Sequence, residues 1–255
     1  MMDEIRTALI TGGADGIGAA IADALLRSGW RVAVVDRDVA PARERAATFP
    51  DRMILIEADV RQADAAPVSC AQVVEAWGRL DLLVNNAGVN RISPLETFPL
   101  EDWTFVLDVN LTSTLLFMQA AAQHMLPQGR GTIINMASIA AARGVPGRAA
   151  YAAAKAAIIS LSKSAAVEWA KRGIRVNAVA PGFTETPMVR SVIESGGIAL
   201  EPMLDRTPMG RLAAPPEIAN AVMFLAGEES SFVTGQVLYV DGGFMADYGV
   251  PPRQG

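Results

Sequence analysis

Three residues in this sequence could move a proton to or from an alcohol oxygen. Tyr151 and Lys155 stand four residues apart in Tyr151-Ala152-Ala153-Ala154-Lys155, so on a helix they share one face, about one turn apart. An ammonium held beside a phenol favours the phenolate and lowers a pKa that starts near ~10. A tyrosine tuned in this way exchanges protons near neutral pH. Ser138 lies thirteen residues upstream of Tyr151, directly after an apolar run at 131–137 that reads as a buried strand. A hydroxyl at the C-terminal edge of that strand can hydrogen-bond the same substrate oxygen. Any amphipathic helix can carry a tyrosine and a lysine at this spacing, so the meaning of the pair rests on the rest of the chain.

The elements that must position these groups are legible in order. An apolar strand at 7–11 runs into Gly12-Gly13-Ala14-Asp15-Gly16-Ile17-Gly18, and Ile17, Ile21 and Leu25 then follow at helical spacing up to Gly29. Strand, glycine loop and helix together cradle a pyrophosphate. Gly12 permits the tight turn, Gly16 a close backbone approach, and Gly18 the packing of helix on strand. The helix N-terminus adds free N–H groups and partial positive charge. The spacing is Gly-x-x-x-Gly-x-Gly rather than Gly-x-Gly-x-x-Gly, and three glycines also make a plain turn. A second strand, 31–36, ends on Asp36, eighteen residues past Gly18. That is near the offset of a carboxylate that binds an adenosine ribose, although an aspartate there also serves as an ordinary cap.

A short helix is expected at 40–47, a third strand at 53–56 leading to Asp59-Val60, and a helix at 67–77. A fourth strand, 80–84, closes in Asn85-Asn86-Ala87-Gly88, amides and small residues that suit a ligand crevice as well as a common turn. A long helix at 101–125 contains Asn110, which in mid-helix points to solvent or bonds backbone. The alanine-rich helix 149–171 carries the tyrosine and the lysine. A sixth strand at 174–180 is closed by Pro181-Gly182, and a helix at 216–225 precedes a last strand at 235–240. The segment 183–210, with Pro187, Gly196, Gly197, Pro202 and Pro208, has weak periodicity and is either a lid or a surface excursion. This alternation implies an α/β fold: one domain over 1–255, a doubly wound parallel sheet of about seven strands with helices on both faces.

Composition narrows the function. The 255 residues are 51% hydrophobic and 19% charged, enough for a sizeable core. Lys and Arg number 22 against 27 Asp and Glu, a net charge of −5, which argues against nucleic acid or an anionic membrane as partner. The single cysteine, Cys70, excludes an internal disulfide and suits a reducing compartment. The charged start does not read as a signal peptide, and no apolar run approaches membrane-spanning length. A soluble cytoplasmic protein is expected. The lone histidine, His124, has no second histidine or cysteine cluster beside it, so neither a metal site nor a serine–histidine hydrolase is supported.

Taken in order, these residues resemble the short-chain dehydrogenases/reductases over roughly 5–245. Thr11-Gly12-x-x-x-Gly16-Ile17-Gly18 is that family's own form of the glycine loop. Asp59-Val60 resembles the pair beside the adenine, and Asn86-Ala87-Gly88 the cofactor-side turn. Asn110, Ser138, Tyr151 and Lys155 match the catalytic tetrad, while Pro181, Gly182, Thr184 and Thr186 match the segment at the nicotinamide. The resemblance implies a Rossmann fold and hydride transfer between a nicotinamide and a secondary alcohol or ketone. Tyr151 is then the acid/base, Lys155 lowers its pKa and holds the ribose, Ser138 orients the substrate oxygen, and Asn110 holds a relay water. Asp15 and Arg37 complete the expected cofactor contacts. Asp36 favours NAD over NADP, because a 2′-phosphate would bring about −1.5 to −2 charges against its carboxylate. The substrate is expected to be a sugar, polyol or hydroxy acid, with a 3-oxoacyl-[acyl-carrier-protein] reductase or a non-enzymatic nucleotide-binding sensor as the competing readings. Asn90, Arg91, Arg143 and Arg148 border the expected pocket, and either of the last two faces it or is solvated in its loop. A homotetramer using the helices near 101–125 and 149–171 is also implied.

Overall fold

The structure, a computed structural model, describes residues 5–194 and 199–247. Its frame is a sheet of seven parallel strands in the order β3-β2-β1-β4-β5-β6-β7. The strands are β1 (Thr7–Thr11), β2 (Arg31–Asp36), β3 (Met53–Glu57), β4 (Leu82–Asn85), β5 (Gly131–Met136), β6 (Ile174–Pro181) and β7 (Val237–Val240). Nine α-helices are described: α1 (Gly16–Arg27), α2 (Arg43–Thr48), α3 (Ala65–Trp77), α4 (Leu100–Leu107), α5 (Ser113–Gln128), α6 (Ala149–Trp169), α7 (Pro187–Glu194), α8 (Glu201–Asp205) and α9 (Pro215–Ala226).

Both faces of the sheet are covered, so its strands read as continuous apolar runs rather than alternating ones. Successive side chains still part to opposite faces. In β1, Ala8 and Ile10 pack beneath α1 and α9, while Leu9 packs beneath α3 and α5. In β2, Val32 and Val34 take the first face, Ala33 and Val35 the second. Strand order reverses between β1 and β4, where Thr11 lies opposite Asn85. A crevice opens beyond the carboxyl ends of strands at such a point, and it is there that open α/β sheets bind ligands.

The long helix expected at 101–125 is interrupted. Between α4 and α5, residues Asp108–Thr112 form a π turn with Asn110 at its centre. Such one-turn bulges collect at functional sites. The run from Leu100 to Gln128 also corrects one expectation from the sequence. It is long and apolar enough to cross a membrane, with a mean hydropathy of 1.3. More than half of that stretch is buried inside the protein, as in the core helix of a soluble domain. The 183–210 segment is more regular than its sequence suggests, since α7 and α8 occupy much of it. Its base is clamped where Ala213 donates to Phe183 O at 2.9 Å and Glu185 donates to Ala213 O at 2.8 Å. Gly196 and Gly197 lie outside the described residues.

A buried chain of amides fixes α6 against the sheet. Asn85 Nδ2 donates to Asn135 Oδ1 at 2.8 Å, Asn135 Nδ2 to Ser162 Oγ at 2.8 Å, and Ser162 Oγ to Ile158 O at 2.7 Å. Ser162 lies two turns beyond Lys155 on the same helix, so this chain sets the height at which α6 presents its catalytic face.

Candidate active site

Ser138 stands two residues past the end of β5, in extended backbone, and its Oγ accepts from Ala140 N at 3.2 Å. Tyr151, half-buried on the first turns of α6, makes a side-chain hydrogen bond with Ser138. Lys155, 3% exposed, donates from Nζ to Met136 O at 2.7 Å and lies 5.5 Å from the centroid of the Tyr151 ring. The spacing of four residues thus brings tyrosine and lysine together at the edge of β5, beside Ser138. Asn110 is fully buried, and its Nδ2 donates to Val106 O and Val89 O, each at 2.8 Å. Its Oδ1 accepts no hydrogen bond among the described residues. A Cβ added to Gly88 would stand 2.8 Å from that oxygen and 3.5 Å from Lys155 Nζ. Asn110, Gly88 and Lys155 therefore face one small space, which the absence of a side chain at Gly88 keeps open.

The expected lowering of the Tyr151 pKa is not what the site produces. Burial pushes the phenol above its ordinary value, and only the Ser138 hydrogen bond and the Arg148 charge pull it down. Lys155 lies against the ring of Tyr151, with its ammonium committed to a backbone carbonyl. Burial also pushes Lys155 itself down to about 8, so its charge is partly lost above neutral pH.

The glycine loop forms the opposite wall. Gly12, at φ +62°, passes so close to the next turn that a Cβ would stand 2.8 Å from Ala87 Cα. A Cβ on Gly18 would stand 2.1 Å from Gly12 O. Asn86 holds this approach with Nδ2 donating to Gly12 O at 2.7 Å, while the N–H groups of Asn86 and Ala87 each donate to Thr11 Oγ1 at 3.1 Å. Asp15 caps α1 by accepting from Gly16 N at 2.6 Å, and Ile17 follows in the first turn. Thr186 caps the start of α7 and lies 3.6 Å from the Cβ position of Gly16, so α7 begins across from the loop. Thr184 donates to Gly182 O at 3.2 Å, and Gly182 follows Pro181 with no room for a side chain against Asp241.

Asp36 turns its carboxylate toward the glycine loop and accepts from Ala14 N at 3.2 Å. Arg37 is exposed, and its charge is felt at Asp59, on the β3 side. Asp59, which Val60 follows, is held by Arg61 at 2.5 Å, and this hydrogen bond keeps its carboxyl below the ordinary range. Arg61 and Arg91 both stand over Phe105, at 5.0 and 4.8 Å.

A family model described as enoyl-(acyl carrier protein) reductase matches residues 12–245. A 2-(R)-hydroxypropyl-CoM dehydrogenase from Xanthobacter autotrophicus is 39% identical over 248 residues, covering 94% of this chain and 99% of that protein. A 3-oxoacyl-[acyl-carrier-protein] reductase from Thermotoga maritima is 40% identical, covering 95% and 98%. The chain belongs to the short-chain dehydrogenase/reductase family. A solved structure described as ElxO with NADP bound superposes with a TM-score of 0.90 at 32% identity, covering 95% of this chain and 100% of that one. Like these relatives, this short-chain dehydrogenase/reductase is an oxidoreductase of the alcohol/ketone type.

Its residues fit a nicotinamide dinucleotide. Gly12 and Gly16 take positive φ, only Thr186 stands near the Cβ position of Gly16, and the open space at Gly88 adjoins Lys155. Sequence reading missed the Asn135–Ser162 tie, whose amide sits inside an apolar strand and gives no periodic signal. It also missed that Arg143 holds the C-terminal segment, donating to Met245 O at 3.3 Å and Asp247 O at 3.4 Å. Cys70 packs in the core, its thiol pushed up to about 12 by burial, and takes no part.

Burying Lys155 has a cost that depends on pH. Its pKa of about 8 in the folded chain, against 10.5 for the free group, corresponds to roughly 3 kcal/mol. Below pH 8 both states are charged and the cost is present in full. Between about 8 and 10.5 the folded chain gives up the proton first, so stability rises with pH. Lys155→Met removes this dependence. Denaturant unfolding from pH 7 to 10.5 should show wild type gaining roughly 3 kcal/mol relative to the variant. A constant difference across that range would mean that Lys155 titrates as an exposed lysine does.

Proposed function

We propose that this protein is an NAD(H)-dependent oxidoreductase that interconverts a secondary alcohol and a ketone on a small sugar, polyol or hydroxy acid. The observation that carries the reading is the convergence of Ser138, Tyr151 and Lys155 at one sheet edge, facing the glycine loop. Gly12, Gly16, Ile17 and Gly18 hold the pyrophosphate at the N-terminus of α1, with Asp15 as the cap. Asp59 and Val60 border the adenine, Ala87 and Gly88 the ribose, and Pro181, Gly182, Thr184 and Thr186 the nicotinamide. A bound nicotinamide supplies or takes up the hydride. Ser138 hydrogen-bonds the substrate oxygen. Tyr151 takes the alcohol proton in oxidation and gives it back in reduction. Lys155 holds the nicotinamide ribose, and its pKa of about 8 suits it to pass the proton onward. The free Oδ1 of Asn110 accepts from a water that leads from Lys155 toward solvent. α7 and α8 form the lid.

Asp36 is the ground for preferring NAD. A ribose 2′-hydroxyl can donate to its carboxylate, whereas a phosphate there meets like charge. At ~4 Å and an effective dielectric near 20, each pair of unit charges repels by roughly 4 kcal/mol before screening. The relative with NADP bound favours the alternative. Arg37 is the residue that would serve a 2′-phosphate, but its charge lies toward Asp59. The protein is further proposed to be a cytoplasmic homotetramer. Leu100, Leu115 and Val167 are exposed apolar residues on α4, α5 and α6, the helices expected at its interface.

Three outcomes check this reading. Tyr151→Phe should lower kcat by roughly 10²–10⁴ while NADH fluorescence titration shows cofactor binding unchanged; near-normal turnover would remove the assignment. Wild type should favour NAD+ in kcat/KM, and Asp36→Ala should erode that preference; an unchanged ratio would show that Asp36 does not read the ribose. Light scattering at micromolar concentration should give four times the 26.9 kDa chain mass, and a monomer would contradict the assembly.

A further inference from the structure

We propose that Arg148 is a substrate-binding residue, and that the substrate carries a carboxylate or similar oxyanion close to its reacting carbon. This rests on the oxidoreductase reading above and adds a substrate class to it.

Several arginines near the cleft are already engaged. Arg91 pairs with Asp102 at 3.2 Å and lies over Phe105. Arg143 is tied to the carbonyls of Met245 and Asp247, Arg190 to Glu185 at 3.0 Å, and Arg206 stands over the Phe244 ring. Arg148 differs. It is half-buried, yet its side chain has no hydrogen bond or ion pair among the described residues. A guanidinium taken partly out of water without a counter-charge is costly. Its fork of donors suits a carboxylate, which it can engage through two parallel hydrogen bonds.

The position is fixed and faces the chemistry. Arg148 is the N-cap of α6, three residues before Tyr151, so the two side chains rise from the same side of the first turn. Its backbone is held on both sides, with Arg148 N donating to Val145 O at 3.2 Å and Ala152 N donating to Arg148 O at 2.9 Å. The preceding Gly147 sits at φ +73° and accepts from Ser93 N at 3.0 Å, which pins the loop against 92–93. The guanidinium is therefore presented from a braced turn. Its charge reaches the Tyr151 phenol, so the two groups lie near each other. An oxyanion one or two carbons from the substrate hydroxyl would meet Arg148 while that hydroxyl meets Tyr151.

A competing role is purely electrostatic, with Arg148 acting only on Tyr151. Binding without turnover separates the two. Acetoacetate and its neutral counterpart methyl acetoacetate are titrated calorimetrically into the protein saturated with NAD+, so that ligand and cofactor are both in the oxidised state and no reaction follows. The proposal expects acetoacetate to bind at least tenfold more tightly than the neutral ketone. Arg148→Ala and Arg148→Gln should each abolish that preference, Arg148→Lys should keep part of it, and the neutral ketone should bind all four proteins alike. Equal binding of the two ketones by wild type, or a variant that weakens both equally, would overturn it. Turnover of 3-hydroxybutyrate and butan-2-ol with NAD+ is measured in parallel. Failure of every alcohol while acetoacetate still binds through Arg148 would sink the hydride-transfer reading and leave the anion site standing.

Discussion

The site depends on one buried contact, the ammonium of Lys155 on the carbonyl of Met136. A charge taken out of water needs partners, and here the partner is the last carbonyl of β5. That contact fixes α6 relative to the strand that ends just before Ser138, and so brings Tyr151 to the Ser138 hydroxyl. The Asn135–Ser162 hydrogen bond repeats the tie lower down, between the same strand and the same helix. Two such ties prevent α6 from sliding along the sheet. Alanine at 152–154 and 156–157 leaves little bulk to oppose the close approach.

The glycine loop is held to the crevice by the same means, backbone against amide. Asn86 donates to two carbonyls of the Thr11–Gly12 bend, and Gly18 lets α1 start almost on top of that bend. The outcome is a glycine loop whose backbone lies directly against the turn that follows β4. The walls lie on opposite sides of the topological switch between β1 and β4, so one twisted sheet positions both.

Much of this was legible in sequence because it rests on local rules. A strand, a glycine loop and a helix have compositional signatures, and Tyr151 and Lys155 need only helical periodicity to meet. All seven strands lie where apolar runs predict them, within a few residues. The π turn at Asn110 was not legible, because its cause is tertiary: Asn110 Nδ2 is shared between its own helix and Val89. The direction of the Tyr151 shift was not legible either. Sequence shows that a lysine is near, but it does not show how far burial removes water from both groups. The segment after β6 was read as irregular because its weak periodicity hid two short helices.

Some of the unpaired polar atoms lie beside the same contact. Among the described residues, six buried side-chain atoms lack a partner: Arg31 Nε, Arg45 Nη1 and Ser69 Oγ on β2, α2 and α3, and the Oδ1 atoms of Asn85, Asn90 and Asn110. The three asparagine oxygens are acceptors, and two of them belong to the segment running out of β4 into the crevice. A buried acceptor left unpaired costs about 1–3 kcal/mol. Lys155 adds its own burial cost nearby. A core optimised only for stability would have replaced these groups with apolar ones, as the rest of the sheet does. The asparagine acceptors thus leave this edge less self-sufficient than the apolar sheet beneath it. A donor arriving there satisfies a group that the chain alone leaves open. A ligand bound there stabilises the folded state by as much as its affinity allows.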